Sequence, residues 1–197
     1  MVSLSRRDDP DARGRGETQI IDAAIALMDE GESFASMTVA AITARAGHTR
    51  TGFYFYFRDK RDLLMAATTR LVGGLFRDAH RWLNGSGGLE ALATTLEAIL
   101  VDYRRSQALI RALVEATSYD HVIAAYWHAE LERFIDAAER QLPTTYVGTT
   151  RRGVASALVW MTERTYYLRI LDDDLTGDEV AVRSLLAIWS RTLELEP

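Results

Sequence analysis

The side chains best suited to molecular recognition crowd into one stretch: Thr38, Thr49, Arg50, Thr51, Tyr54, Tyr56 and Lys60, with Gly52 among them. Arg50 is the most versatile. Its guanidinium offers two parallel N–H donors that match the O6 and N7 acceptors of guanine in a DNA major groove. Thr51 and Gly52 leave room for close approach, and Tyr54 can meet a thymine methyl or a phosphate. Tyr56 and Lys60 are placed for the sugar-phosphate backbone, where Thr38 and Thr49 can add hydroxyl and backbone N–H contacts. The chemistry these residues imply is the reading of double-stranded DNA.

Bond-making chemistry finds little support. The absence of cysteine excludes disulfides, thiol nucleophiles and thiolate metal sites. None of His48, His80, His121 and His128 follows a Glu-x-x spacing, and no second carboxylate motif completes a site around His121 and His128, which are placed to share a helix face. Neither Gly-x-x-x-x-Gly-Lys-[Ser/Thr] nor Gly-x-Ser-x-Gly occurs. No metal, cofactor or catalytic residue is therefore expected, and a helical-bundle enzyme is the weakest of the readings.

The elements that must position the recognition residues are helices. From Glu17, apolar residues recur at Ile20, Ala23, Ala24, Leu27 and Met28 until Gly31 stops the pattern. Thr38 opens a second segment, Val39 to Ala46, and Thr49 can cap a third, Arg50 to about Phe55, so two short helices meet across Gly47 and His48. That is helix-turn-helix spacing. Phe53 and Phe57 lie four residues apart and are expected in the core, with Tyr54 and Tyr56 directed outward.

Asp59 and Asp62 mark the start of a long fourth helix reaching roughly Leu83, and the Asn84-to-Gly88 run breaks it. Helical patterns resume at 89–104, 107–117, 121–142, 149–171 and 178–193. On one face of the 121–142 helix stand Trp127, Leu131 and Phe134, and Trp160 and Tyr167 share a face of the next. Such stripes fit an ordinary core as well as the wall of an apolar pocket. Glu163-Arg164 reads first as a buried structural pair and second as a polar handle for a ligand.

The net charge of −5 stands at odds with a DNA partner until it is located: the first 61 residues balance nine basic against nine acidic side chains, and the acidity falls on the remainder. Between Arg45 and Arg61, five cations face only Asp59. Met1 to Gly16 has no apolar core for a signal peptide, and no window is apolar enough for a membrane span, so a cytoplasmic, nucleoid-associated protein without membrane contact is expected. With its charges and glycines, residues 1–16 read as a disordered arm.

The stretch Thr38 to Lys60, with its Thr-opened helix, Ala46-Gly47 turn, aromatic-rich short helix and Lys-started fourth helix, resembles the signature of the TetR family over residues 17–64. That resemblance implies an all-α fold of about nine helices. A helix-turn-helix DNA-binding domain would occupy residues 17–61, and residues 62–197 would form an effector-binding and dimerisation bundle. It further implies a repressor, a homodimer joined through its last two helices, and a palindromic operator met by two recognition helices about 34 to 36 Å apart. Thr51-Gly52 replaces the Gly-Thr of many relatives, and Ala40 a polar residue.

Phe53-Tyr-Phe-Tyr-Phe57, Met161-Thr-Glu-Arg-Thr165 and Ile188-Trp189 resemble, more weakly over most of the chain, the mycobacterial ethionamide-resistance regulator subgroup. Its members bind a small hydrophobic effector in the bundle, and matching positions nominate Tyr103, Trp127, Leu131, Phe134, Thr162, Glu163 and Trp189 as pocket lining. Val159 and Thr162 stand where subgroup members carry asparagines, which implies a different ligand chemistry. The alternative is a DNA-binding dimer whose bundle answers to a protein partner or to nothing.

Overall fold

Capping side chains and apolar spacing together account for where the chain breaks into helices. The computed structural model describes residues 10–78, 82, 88–172 and 174–195. Among the described residues are nine α-helices and no strand. They are α1 (Pro10–Asp29), α2 (Val39–Ala46), α3 (Arg50–Tyr56), α4 (Lys60–Asp78), α5 (Gly88–Arg105), α6 (Gln107–Thr117), α7 (His121–Gln141), α8 (Gly148–Leu171) and α9 (Asp178–Thr192).

The expected caps are in place. Thr38 Oγ1 accepts from the Ala41 N–H at 3.1 Å, and Thr49 Oγ1 from the Gly52 N–H at 3.0 Å. Gly47 ends α2 with φ 68°, a left-handed conformation that side-chain-bearing residues resist, which lets the His48 N–H return to the Thr43 carbonyl at 2.9 Å. Asp59 Oδ1 accepts from the Asp62 N–H at 2.8 Å and starts α4. At the head of α7, Asp120 accepts from the Val122 and Ile123 N–H groups.

One boundary differs. α1 begins at Pro10, ahead of the expected start at Glu17, so residues 10–16 continue the helix rather than belonging to an arm. Proline suits a first helical turn, where its missing N–H has no partner to lose. Gly16 is retained for a tertiary reason: a Cβ there would lie 2.2 Å from the Tyr56 hydroxyl, so only glycine lets α1 approach α3 so closely. Residues 1–9, the turn at 84–86, His80 and Asp173 lie outside the described residues.

α1, α2 and α3 enclose Ile20, Ile42 and Phe53, each 0% exposed. α4 packs on α1 at one side and on α5, α6 and α7 at the other. The rest of the bundle is built by α7 on α8 and by α9 on α5 and α8. Asp178 fixes the start of α9: Arg104 grips it with Nε at 3.0 Å and Nη2 at 2.7 Å, and Arg169 Nε reaches it at 3.0 Å. These guanidiniums, Arg104 foremost, hold the Asp178 carboxyl below its ordinary range. No helix among the described residues is long and apolar enough to cross a membrane.

Candidate nucleic-acid interface and apolar pocket

α3 divides its side chains as its spacing demands. Phe53 and Phe57 turn inward, at 0% and 3% exposed, while Arg50, Thr51 and Tyr54 turn outward. Arg50 Nη2 lies 3.4 Å from the Tyr54 hydroxyl, at the limit of a hydrogen bond, and the guanidinium stands 5.8 Å from the Tyr54 ring centre. The two side chains thus form one outward-facing unit, donors and ring edge together. Thr38 and Thr49 present their hydroxyls from the exposed starts of α2 and α3.

The cationic cluster expected between Arg45 and Arg61 is largely occupied. Arg45 pairs with Glu30, Arg58 with Asp62 at 3.1 Å, and Arg61 Nε with Asp120 at 2.7 Å. Arg50 has no carboxylate partner among the described residues. All three partners, Glu30, Asp62 and Asp120, lie outside the stretch whose charge was summed, so that sum could not show them.

Tyr56 and Lys60 serve the frame of this head. The Tyr56 ring is half-buried over Gly16 and meets His48 edge to face at 6.1 Å; His48 Nε2 in turn lies 3.0 Å from Gln19 Oε1. Lys60 does not stand free for a phosphate as its sequence position suggested. Its ammonium donates to the carbonyls of Phe34 at 3.0 Å, Ala35 at 3.2 Å and Met37 at 2.5 Å, closing the connector between α1 and α2. Burial lowers its pKa from the ordinary lysine value, against the opposing pull of Glu32.

The bundle brings all seven nominated pocket residues, Tyr103, Trp127, Leu131, Phe134, Thr162, Glu163 and Trp189, to one cavity. Sequence reasoning missed the opposite wall, made by Leu75, Trp82, Leu92, Leu96 and Ile99. The signal was present: Leu92, Leu96, Ile99 and Tyr103 recur at helical spacing along α5. Trp160 and Tyr167, expected to share a face, stand outside the cavity and are half-buried, Trp160 edge-on to His128 at 5.3 Å. The cavity measures about 70 Å³. Small-molecule sites take ~300 Å³ or more, so a ligand enters only by displacing side chains.

Polar groups on the lining are few and unequally satisfied. Trp189 Nε1 donates to Thr162 Oγ1 at 2.9 Å, and Thr162 donates to the Leu158 carbonyl at 2.9 Å. Glu163 is 3% exposed, and neither carboxyl oxygen has a hydrogen-bond partner. The expected buried Glu163–Arg164 pair does not form as a hydrogen-bonded pair. Arg164 Nε stays 3.7 Å from Glu163 Oε2, half of its side chain is in solvent, and its guanidinium lies 5.1 Å from the Tyr167 ring centre. Burial pushes the Glu163 carboxyl up, with Arg164 opposing. Burial, and then the charge of Glu163, raises the Tyr103 phenol as well.

Residues 20–67 match the model of the bacterial regulatory proteins of the tetR family. No curated protein sequence matches the chain. Several solved structures share its shape. The transcriptional regulator FadR from Bacillus subtilis, in complex with stearoyl-CoA, superposes with a TM-score of 0.72 at 17% identity, over 87% of this chain and 96% of that one. A protein from Syntrophomonas wolfei described as a TetR-family transcriptional regulator gives 0.74 at 13% identity, over 92% and 96%. The TetR family repressor AlkX from Dietzia sp., implicated in biodegradation of n-alkanes, gives 0.57 at 18%, over 96% and 98%. These similar proteins are regulators rather than enzymes. At such identities the likeness is one of fold, and within that fold residues 20–67 are similar to the helix-turn-helix segment of the tetR-family regulators.

Proposed function

We propose that the protein is a homodimeric repressor, seated on a palindromic operator through α2 and α3 and released when a small apolar effector enters the bundle. The observation that carries this reading is the reach of α4. Its first residue, Lys60, is anchored in the carbonyls of the head, while Leu75, near its other end, lines the cavity. Arg61, next along, is tied to Asp120, the cap of α7, whose Trp127, Leu131 and Phe134 form the facing wall. A ligand that enlarges so small a cavity moves α4 or α7, and the heads move with α4. Release then follows from the ligand's better affinity for the form with badly spaced heads.

On the DNA side, Arg50 reads a base, Tyr54 and Thr51 meet base edge or phosphate, and Thr38 and Thr49 hold phosphates. Tyr56 braces the seam with α1. Gly52 allows the backbone to come close. The exposed Leu168, Leu171, Val180 and Ile188 on α8 and α9 supply an apolar face for a second copy of the chain, which supports a four-helix dimer interface. The stearoyl-CoA bound by FadR and the alkane link of AlkX support an apolar effector, as does the resemblance to the ethionamide-resistance subgroup. The tightness of the cavity favours a second reading, a DNA-binding dimer governed by a protein partner.

Gel shift of the full chain on its own upstream intergenic DNA, at stated salt, tests the first half of the proposal. A specific, salt-sensitive complex that Arg50→Ala and Tyr54→Ala abolish supports it; a wild-type protein that binds no DNA overturns it. Release of that complex by an apolar ligand separates the effector reading from the partner reading.

A further inference from the structure

Glu163 is the one residue among those described whose buried polar side-chain atoms have no hydrogen-bond partner. A carboxyl group enclosed in this way destabilises the fold, and such groups are commonly kept for a task. The nearest cation does not satisfy it: Arg164 Nε is 3.7 Å away and engaged with the Tyr167 ring. Tyr103 is buried on the same cavity, near enough for the charge of Glu163 to act on its phenol. Around them stand the rings of Trp82, Trp127 and Trp189.

These groups complement one kind of ligand. A carboxylate lacks only donors, and an ammonium group has three. Aromatic faces attract a cation, most strongly where water is excluded. The aliphatic remainder of the lining suits hydrocarbon. We infer that the pocket takes an apolar ligand carrying a single basic nitrogen, which Glu163 holds as a protonated amine, with Tyr103 and the tryptophan rings completing its surroundings. The inference rests on the effector reading above and narrows it to a ligand class. A fatty acid sets a like charge against Glu163, and an alcohol supplies one donor and no charge.

The test uses the full chain, titrated with 1-octylamine, 1-octanol and octanoate while tryptophan fluorescence and release of operator DNA are followed. Octylamine is expected to bind about tenfold or more tightly than octanol, with octanoate weakest. Glu163→Gln is expected to remove the preference, bringing octylamine down to the affinity of octanol. A wild-type protein that binds octanol or octanoate as well as octylamine overturns the inference while leaving the apolar effector reading intact. A preference for the amine that survives Glu163→Gln also overturns it. Binding of none of the three overturns both. The wild-type comparison stands whether or not the variant folds.

Discussion

Trp189 gives its indole N–H to the Thr162 hydroxyl at 2.9 Å, joining α9 to α8 inside the bundle, and Thr162 is itself tied back to Leu158. Neither polar group is free for a ligand while that link holds. Thr162→Val preserves the shape and leaves the indole N–H without an acceptor. Urea unfolding is expected to show a loss of roughly 1–3 kcal/mol, most of it recovered by Thr162→Ser. Equal stability of the valine and serine variants would remove the link from the account.

Glu163 acts on stability in the opposite direction. Burial raises its folded pKa above the unfolded value, so at low pH both states hold the proton and there is no penalty. As pH rises past the ordinary carboxylate range, the unfolded state ionises first and the native state loses ground until the folded pKa is passed. Glu163→Gln is therefore expected to stabilise the protein at neutral pH, by roughly 1–3 kcal/mol, and to make no difference below the ordinary carboxylate range. Paired denaturation curves from acid to neutral pH check the sign.

Lys60→Met removes the donor to three carbonyls. Stability of the chain is expected to fall by about 1–3 kcal/mol and operator affinity with it, yet the slope of log affinity against log salt is expected to stay the same. A direct phosphate contact would instead lower that slope by about one. Gel shifts at several salt concentrations distinguish the two roles.

Gly16→Ala places a methyl group where the Tyr56 ring now lies. The ring is rigid and hinged at its own Cβ, so it must swing out or α1 must lift. Weaker operator binding and a lower melting temperature of the chain's single transition are expected, read by gel shift and by melting. Wild-type affinity in the alanine variant would show that the seam between α1 and α3 is not needed for binding.

Much of this was legible in the sequence because the signals were local. Thr38, Thr49 and Asp59 cap helices within three residues of themselves, and the i, i+4, i+7 spacing of Trp127, Leu131 and Phe134 commits them to one face. The misreadings share a different cause. Gly16 falls in the stretch that reads as a disordered arm, because its reason is Tyr56, forty residues on. Lys60 and Arg61 were counted as surface cations because the carbonyls of Phe34 and Met37 and the carboxylate of Asp120 are distant in sequence. Glu163 and Arg164 are adjacent in the chain, yet helical geometry sends one inward and the other to solvent.

The position of Lys60 at the start of α4 also bears on how the chain unfolds. The sequence suggests a division near residue 61, but that boundary cuts through the first turn of a helix whose opening side chain closes the head and whose body lines the pocket. The buried apolar cluster runs without interruption from Ile20 to Leu193. The head and the bundle are therefore expected to unfold as one cooperative unit. A fragment ending at residue 61 would expose the apolar surface that α4 now covers, and heat or denaturant should dismantle both functions in one transition.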